Sequence, residues 1–288
     1  MPSQSPTLWV VATPIGNLGD LSERAREILA VVDVILAEDT RKTGRLLQVC
    51  GITGPRLLSF FEHNEAARVK QVLDLLKQGK QVALVSSAGT PLMSDPGYIL
   101  VRTCRDYGFR VSPVPGPSAP VAALMASGLP PYPFAFLGFL PRKSGEKRRL
   151  FAQFAPVQVT LAFFERVSRL ESSLHDAREV LGQRQACIAR ELTKKHEEFI
   201  SFTLGSEQEL PADLLGEVTV LLAPQDKEAQ ATAEKEVIRI MRKKAGPNDG
   251  ARTVVNHTAP HVTGWGKKAL YDVYLREIRQ IGDGQEDL

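Results

Sequence analysis

Residues 8–18 have the sequence LWVVATPIGNL, an apolar run that ends in a Pro/Gly turn, and residues 82–92 repeat this arrangement as VALVSSAGTPL. A third turn, PGPS at residues 115–118, follows another strand-like segment. One such turn alone is more typical of a plain strand-to-helix connection. In an open α/β sheet, however, ligands bind at the carboxyl ends of the strands, where glycine lets main-chain groups approach a ligand. Three turns of this kind therefore predict a small-molecule site at that edge of a sheet.

The length and composition indicate a globular protein that is large enough for two domains. The chain has 288 residues, of which 43% are hydrophobic and 24% charged, which excludes disordered and fibrous classes. The net charge of +3 is only mildly basic. Nucleic-acid binding must therefore be argued from the positions of the charges rather than from their sum.

The cysteines and the apolar runs indicate a cytoplasmic protein. Cys50, Cys104 and Cys187 are far apart and have no histidines at ligand spacing, which favours reduced thiols and no metal site. The apolar runs are shorter than the about 20 residues that a membrane helix needs. Residues 1–5 lack the basic start of a signal peptide. We therefore expect a cytoplasmic location and no membrane segment.

The first half of the chain alternates apolar runs with amphipathic segments, which is the βαβ pattern of a mostly parallel sheet. Strands are predicted around Leu8, over Val34–Ala37, around Val82 and from Arg110. A charged turn, Glu38–Lys42, follows the second of them. Two prolines at 130 and 131 end an alanine-rich helix, so we expect an N-terminal α/β domain over residues 1–131.

A second α/β domain is expected over residues 132–225, and a helical tail over residues 226–288. The second domain opens with Phe134–Phe139 and a basic loop over residues 141–149, and its strands are predicted at Val159–Phe164, Ala186–Ala189 and Val218–Leu222. In the tail, we predict helices over Ala231–Lys244 and from Lys267, with a Gly/Pro/Asn loop between them.

The first turn has neither the G-x-G-x-x-G nor the G-x-x-x-x-G-K-[ST] spacing. These spacings supply the backbone that binds phosphates in dinucleotide-binding and nucleoside-triphosphate-binding folds. Their absence argues against a dehydrogenase, a kinase and an ordinary ATPase.

Several short motifs in a fixed order carry a resemblance to a known family. They are ATPIGNL at 12–18, AEDTR at 37–41, SSAGTPL at 86–92, DPG at 95–97 and PGPS at 115–118. The chain resembles the tetrapyrrole methylase superfamily, and within it the branch that methylates small-subunit ribosomal RNA. Further matches at EHNE (62–65), GFLP (138–141), FFE (163–165) and ARELTK (189–194) extend the resemblance over Leu8–Ala223.

The resemblance implies an α/β fold of two domains with S-adenosylmethionine in the cleft between them, plus a C-terminal helical extension. It implies a homodimer that transfers a methyl group to a cytidine ribose 2′-hydroxyl of 16S rRNA in the small ribosomal subunit, without a metal. By position in the motifs, the implied cofactor-binding residues are Pro14, Ala88, Gly89, Thr90, Leu92, Pro115, Gly116, Ser118, Ala119 and Phe164.

One position departs from the family pattern. An acidic residue usually stands between Ser86 and Ala88, and this chain has Ser87 there. A serine can still form a hydrogen bond at this place. If the usual carboxylate holds the cofactor or orders the loop, we expect weaker donor binding here.

A ribose hydroxyl is a poor nucleophile until its proton leaves, so a base within hydrogen-bond reach is expected in addition to precise alignment. The candidate catalytic residues are Glu165, Glu191 and Asp39. Arg190 beside Glu191 could instead fix that carboxylate in a structural ion pair.

Polar and basic residues near the predicted ligand edge are candidates for RNA binding, since cations there suit phosphates. They are Arg41, Lys42, Arg45, His63, Asn64, Arg142, Lys143, Arg190 and Lys194. The ordinary alternative for the cations is a solvated surface, and His63 with Asn64 equally suits the start of a helix.

Two other functions stay open at this point. The same fold could methylate a small molecule of the tetrapyrrole type, although the basic loops and the EHNE motif speak against it. A non-catalytic RNA-binding or ribosome-assembly protein is the other alternative. It rests on Ser87 alone, since the other turns are retained.

Overall fold

The structure is a computed structural model that describes residues 5–206, 214, 216–225, 232–246 and 249–278. The chain divides into two compact units, Met1–Pro224 and Gln225–Leu288. Both expected α/β domains lie in the first unit. The larger unit is not divided further, so the domain boundary at residue 131 stays a prediction.

A parallel sheet forms the first half of the larger unit. Among the described residues its five strands are β1 (Thr7–Val11), β2 (Val34–Ala37), β3 (Arg56–Ser59), β4 (Val82–Val85) and β5 (Arg110–Val114), in the order β3-β2-β4-β1-β5. The helices are α1 (Glu23–Val31), α2 (Thr40–Val49), α3 (Glu65–Lys77), α4 (Tyr98–Asp106) and α5 (Ala119–Ala126). The predicted α/β pattern with a parallel sheet is confirmed.

Helices cover both faces of this sheet, which explains why its central strands are apolar throughout. Along β2 and β4, Leu36 and Leu84 belong to one buried cluster, and Ile35 and Ala83 belong to another. Alternate residues of a strand point to opposite faces, so the two clusters are the two helix-covered layers. The carboxyl end of the sheet is thereby left as the face that can open to a ligand.

A mixed sheet forms the second half of the larger unit. Its strands in the described part of the chain are β6 (Phe134–Phe139), β7 (Thr160–Arg166), β8 (Gln185–Arg190), β9 (Glu198–Thr203) and β10 (Glu217–Leu222), in the order β6-β7-β10-β8-β9. Strands β6 and β7 run parallel, and the other neighbours are antiparallel. Two helices, α6 (Ser144–Phe154) and α7 (Val167–Leu181), accompany it.

Between α6 and α7 the second half contains a buried ion pair. The Lys147 ammonium lies 2.9 Å from an Asp176 carboxylate oxygen, and the two side chains are 3% and 4% exposed. Ser144 and Arg148 also donate hydrogen bonds to Asp176. Burial opposes ionisation, but the hydrogen bonds from Ser144, Lys147 and Arg148 outweigh it and lower the pKa of Asp176 to about 2. Asp176 is therefore ionised at neutral pH.

The smaller unit is helical. Its described helices are α8 (Glu234–Lys244), α9 (Ala251–Thr258) and α10 (Lys267–Glu277), which enclose a core that includes Val237, Met241, Val254 and Leu270. The helix α9 lies in the region that was expected to be a loop. It was not predicted because Gly and Pro before it signal a turn, and only Val254 and Val255 mark its apolar face. The expected helix start at Ala231 lies outside the described residues.

Candidate active site

The three Pro/Gly turns follow β1, β4 and β5, which are consecutive strands of the first sheet. Thr13 and Gly89 exchange backbone hydrogen bonds of 2.9 and 3.0 Å, which joins the first turn to the second. The Thr90 hydroxyl donates to the Pro117 carbonyl at 2.9 Å and joins the second turn to the third. The carboxyl edge of this sheet is therefore a rigid, backbone-lined platform.

Two glycines of this platform are packed so tightly that a Cβ would force its neighbour to shift. Gly89 has φ +79°, a conformation that favours glycine, and a Cβ there would lie 3.2 Å from the Ile15 side chain. A Cβ on Gly116 would lie 3.0 Å from the Ala12 Cβ. Close contact between the turns thus explains the glycines that the sequence places in them.

The second half of the unit reaches the platform through the loop after β8. The backbone N–H of Asn17 donates to the Thr193 hydroxyl at 3.0 Å. Glu191 and Thr193 have φ values of +50° and +65°, which non-glycine residues adopt only when their surroundings enforce it. This loop and the first turn therefore hold each other where the two halves meet.

A cavity of about 580 Å³ lies between the two halves. The first half contributes residues of the turn after β4, the start of α5 and the polar side chains Glu38, Lys42 and Asp95. The second half contributes Phe139 and Phe164, whose ring centroids are 5.2 Å apart, together with the loop after β8. The larger cavity thus combines a backbone-polar wall with an aromatic wall.

A smaller cavity of about 310 Å³ adjoins the larger one. Ile15, Lys42, Ser87 and Ala88 line both cavities, and Arg45 lines only the smaller one. The rest of its wall includes the apolar side chains Pro14, Leu18, Leu46 and Val49. An apolar wall with cations beside it suits a flat ring that carries a phosphate.

Six of the residues expected to bind the cofactor line the larger cavity. They are Ala88, Gly89, Thr90, Ser118, Ala119 and Phe164. Pro14 lies instead in the smaller cavity. Leu92 packs among the buried side chains of the first sheet, and the exposed Pro115 and Gly116 support the turn from outside the cavity wall.

Two of the three expected bases are not placed at the larger cavity. Glu165 is buried, where its carboxylate accepts a hydrogen bond from Ser173 at 2.7 Å and lies 3.2 Å from the Arg169 guanidinium. Its neighbour Phe164 faces the cavity, and successive residues of a strand point to opposite faces. Glu165 therefore has a structural role in this fold.

Asp39 is occupied at the start of α2. Its side chain accepts hydrogen bonds from the backbone N–H groups of Arg41 and Lys42 and pairs with the Arg41 guanidinium at 3.1 Å. The Arg41 side chain, with these backbone donors, lowers the pKa of Asp39 to about 2. A carboxylate that holds its proton so weakly is a poor base.

Glu191 does line the larger cavity, but its carboxylate pairs with the Lys194 ammonium at 2.8 Å. Two further carboxylates that were not expected there, Glu38 and Asp95, line the same cavity. Both belong to motifs that the sequence already singled out. The adjacent residue Asp39 could have pointed to Glu38. An Asp that caps a helix uses its own carboxylate on the backbone, so Glu38 is the carboxylate of this motif that is left for the cavity.

Two carboxylates lie close to Ser87, where the acidic residue of the family is missing. The Ser87 backbone N–H donates to a Glu38 carboxylate oxygen at 3.2 Å, and Asp95 lines the same cavity as Ser87. This wall of the cavity therefore remains acidic without a carboxylate at residue 87.

The residues expected to bind RNA fall into two groups. Lys42, Arg45 and Lys194 line the cavities, and the Arg41 side chain is 90% exposed beside them in sequence. Arg142 and Lys143 are exposed, and Lys143 pairs with Glu146. Arg41, Lys143 and Lys194 also have carboxylate partners. All six cations line a cavity or are exposed, so they can reach a phosphate backbone.

The other expected RNA-binding residues have partners within the fold. Arg190 pairs with Glu198 at 2.6 Å rather than with Glu191. Asn64 accepts a hydrogen bond from the Phe61 N–H at 2.8 Å and donates to the Ser59 carbonyl, so it shapes the start of α3. His63 is exposed and packs edge-on against Phe61.

In the described part of the chain, no group of three or more His, Cys, Asp or Glu side chains is arranged to hold a metal ion. Within the same part, none of the helices is long and apolar enough to cross a membrane.

Comparison with solved structures defines the class of this fold. The methyltransferase CobJ superposes with a TM-score of 0.60 at 18% identity, covering 79% of this chain and 96% of that one. Residues 7–207 match the family model described as Tetrapyrrole (Corrin/Porphyrin) Methylases. The two halves with a cavity between them are thus the fold of that class.

Sequence relatives narrow the class further. A protein of Neisseria meningitidis serogroup A named ribosomal RNA small subunit methyltransferase I is 42% identical over 276 residues, which cover 93% of each chain. A protein of Thermotoga maritima with the same name is 48% identical over 75% of this chain and 97% of its own length. The chain therefore belongs to the tetrapyrrole methylase family, in the branch formed by the ribosomal RNA small subunit methyltransferases I.

S-adenosylmethionine is the methyl donor of this family. The larger cavity fits such a molecule, because adenine and an amino-acid group need apolar surface together with main-chain donors and acceptors. The Phe139 and Phe164 rings offer the apolar surface, and the Ala88–Thr90 turn offers main-chain groups. Gly89 has no side chain, so the backbone of this wall stays accessible from the cavity. A Cβ at this position would also press against Ile15.

Proposed function

We propose that this chain transfers a methyl group from S-adenosylmethionine to the 2′-hydroxyl of a cytidine ribose in 16S rRNA. The observation that carries the proposal is the pair of joined cavities. The larger one has the mixed wall that a methyl donor needs, and the smaller one combines apolar side chains with Lys42 and Arg45. The names of the relatives support ribosomal RNA of the small subunit as the acceptor.

In this proposal, the main-chain groups of Ala88–Thr90 and the start of α5 at Ser118 and Ala119 hold the donor against Phe164. When bound, S-adenosylmethionine supplies a methyl group on a positively charged sulfur. The rigid platform orients the reactants, because Thr13, Gly89, Thr90 and Pro117 fix the three turns to one another. Alignment of this kind supplies a large part of the acceleration in a direct displacement.

The smaller cavity receives a nucleotide of the acceptor strand, and cations beside it hold the phosphates. Lys42 lies between the two cavities, and Arg45 lies in the wall of the smaller one. A nucleotide placed there is adjacent to the donor, because Ile15, Ser87 and Ala88 belong to both walls.

We infer the cytoplasm as the location, since the substrate is ribosomal RNA and the described cysteines are free thiols. The homodimer that the resemblance implies also stays a prediction. Val121, Met125 and Tyr132 present apolar surface on and after α5, with exposed fractions of 54%, 82% and 81%. Apolar surface of this kind is what a second copy covers in a dimer.

The proposed function predicts donor-dependent labelling of RNA. Pure protein is incubated with methyl-labelled S-adenosylmethionine and, in parallel, with isolated small subunits, naked 16S rRNA or a tetrapyrrole. Label is expected in the small subunit or its RNA. Labelling of the tetrapyrrole alone would assign the chain to small-molecule methylation, and donor binding without transfer would indicate a non-catalytic RNA-binding protein.

The proposed RNA path predicts a change in salt dependence for Lys42→Ala/Arg45→Ala. Each phosphate contact with single-stranded RNA contributes about 0.7 to the slope of log affinity against log salt. Loss of two contacts should weaken binding and reduce the magnitude of this slope by about 1.4. Fluorescence anisotropy with a 16S rRNA fragment at several salt concentrations measures it.

Lys77→Ala is the matched control for this experiment. Lys77 is the last residue of α3, which leads into the start of β4, so it lies at the opposite edge of the sheet. Its only described ion pair is an exposed contact of 4.0 Å with Asp74. An unchanged slope in the double variant would place the RNA on another face.

A further inference from the structure

Resting on the proposed function, we infer that Asp95 is the catalytic base that accepts the proton of the ribose 2′-hydroxyl. Asp95 follows Ser94, a non-glycine residue with φ +73°, and both line the larger cavity. The Ala88–Thr90 turn, which is proposed to hold the donor, forms part of the same wall. The carboxylate therefore lies in the wall of the cavity proposed to hold the donor, together with Ser87 and Ala88, which also line the smaller cavity.

The other two carboxylates of this wall have partners of a different kind from that of Asp95. Glu191 pairs with Lys194, and Glu38 accepts the Ser87 backbone N–H. In the described part of the chain, neither lysine nor arginine forms an ion pair with Asp95. The hydrogen bond of Asp95 is with the Ser86 hydroxyl, which can rotate away, whereas the backbone N–H on Glu38 is fixed and Glu191 has a lysine partner. Asp95 is therefore better suited to take a proton than its two neighbours.

The electrostatic surroundings also suit a base. Burial, together with the negative charge of Glu38, raises the pKa of Asp95 to about 6, although a hydrogen bond with Ser86 opposes the shift. The other charged side chains of the larger cavity are Lys42 on α2, and Glu191 and Lys194 on the loop after β8. At neutral pH Asp95 is ionised, yet it holds a proton more strongly than an ordinary carboxylate, which makes it a better base.

The 2′-oxygen forms a bond to the methyl carbon, and the proton of its hydroxyl moves to an Asp95 carboxylate oxygen. The bond between the methyl carbon and sulfur breaks, with its electron pair staying on sulfur, which becomes a neutral thioether. Asp95 then releases the proton to water through the open cavity. The positive charge on sulfur is thus replaced by one released proton.

The decisive experiment compares wild type with Asp95→Asn in single-turnover methyl transfer from pH 5 to 9, with donor and RNA saturating. The wild-type rate should rise tenfold per pH unit below about pH 6 and then level off, because only ionised Asp95 acts. Asp95→Asn should lower the plateau by about 10²- to 10⁴-fold and abolish the rise. Donor and RNA dissociation constants should stay within about twofold, since Asn keeps the shape of Asp.

Two charge variants provide an independent readout of the same group. Glu38→Gln removes the negative charge that raises the Asp95 pKa, so the midpoint of the pH profile should move to lower pH. Ser87→Asp adds a negative charge next to Glu38 and should move the midpoint to higher pH. Opposite shifts support the inference even if Asp95→Asn folds poorly.

The possible outcomes distinguish a failure of the Asp95 assignment from a failure of the proposed function. A wild-type chain that methylates RNA, with Asp95→Asn at an equal rate and an unchanged pH profile, would overturn the base assignment alone. A midpoint that stays fixed in both charge variants would do the same. No methyl transfer to RNA by the wild-type chain would overturn the proposed function and the base with it.

Discussion

Gly16→Ala is expected to lower kcat/KM for methyl transfer by about 100-fold or more, because a displacement of about 1 Å between reacting groups has an effect of this size. A Cβ at residue 16 would lie 2.5 Å from Lys194 Cγ, 2.8 Å from Thr193 Oγ1 and 2.9 Å from the Leu192 carbonyl. The carbonyl belongs to the backbone, so rotation of a side chain cannot relieve the contact. The first turn and the loop after β8 must separate, and both belong to the walls of the cavities.

The fold should survive this change, since an overpacked site typically costs about 1–3 kcal/mol. Urea denaturation of Gly16→Ala measures that loss, and steady-state kinetics measure the activity. Gly145→Ala is the control, because a Cβ at residue 145 has no neighbour within 4 Å. Wild-type kcat/KM in Gly16→Ala would show that the contact between the two halves does not set the geometry of the site.

Asp176→Ala is expected to lower the free energy of unfolding by about 3–5 kcal/mol, the cost of leaving a buried charge without its partner. The Lys147 side chain is 3% exposed, and its ammonium would keep its hydrogen bonds to the hydroxyls of Ser172 and Ser173 but lose its carboxylate partner. Chemical denaturation at neutral pH measures the loss. Asp74→Ala, which breaks an exposed contact of 4.0 Å with Lys77, should cost less than about 1 kcal/mol.

The pH dependence of Asp176 has a definite sign. Its pKa is lowered from 3.8 to about 2 in the fold, so the folded state favours the ionised form. The resulting stability is fully present above about pH 4 and is lost as the pH falls towards 2. A double variant, Lys147→Met/Asp176→Leu, should be more stable than Asp176→Ala, because it leaves no buried charge without a partner, and Arg148, which also loses Asp176, is 42% exposed. Equal loss in both variants would contradict this explanation.

Much of the fold could be predicted because the central strands are buried and therefore appear in the sequence as continuous apolar runs. The bounds of β2 at Val34–Ala37 agree with the prediction, and β10 begins one residue before the predicted Val218. The strands β3 and β9 were missed, and both lie at an edge of a sheet. An edge strand buries fewer side chains, so its apolar pattern is weaker; in β3 only Leu58 is buried.

The turns located the cavity, but they could not tell which carboxylates face it. Asp39 and Glu38 are adjacent in sequence, but the Asp39 carboxylate caps α2, whereas Glu38 lines the cavity. Glu165 and Phe164 are separated in the same way by the alternation of a strand. Such choices depend on long-range packing, which a single sequence does not display. Asp95 was quoted within a motif, yet its role follows only from its neighbours in space.

Transfer of the methyl group to a ribose oxygen leaves a different product from transfer to a base, and the chemistry of the labelled RNA distinguishes the two. Small subunits or 16S rRNA labelled by the wild-type chain are hydrolysed with alkali, and the label is located by mass spectrometry. A methyl group on a 2′-oxygen blocks cleavage at the adjacent phosphodiester, so the account predicts label in an alkali-resistant dinucleotide that begins with 2′-O-methylcytidine. Label in an ordinary mononucleotide with a methylated base would contradict it.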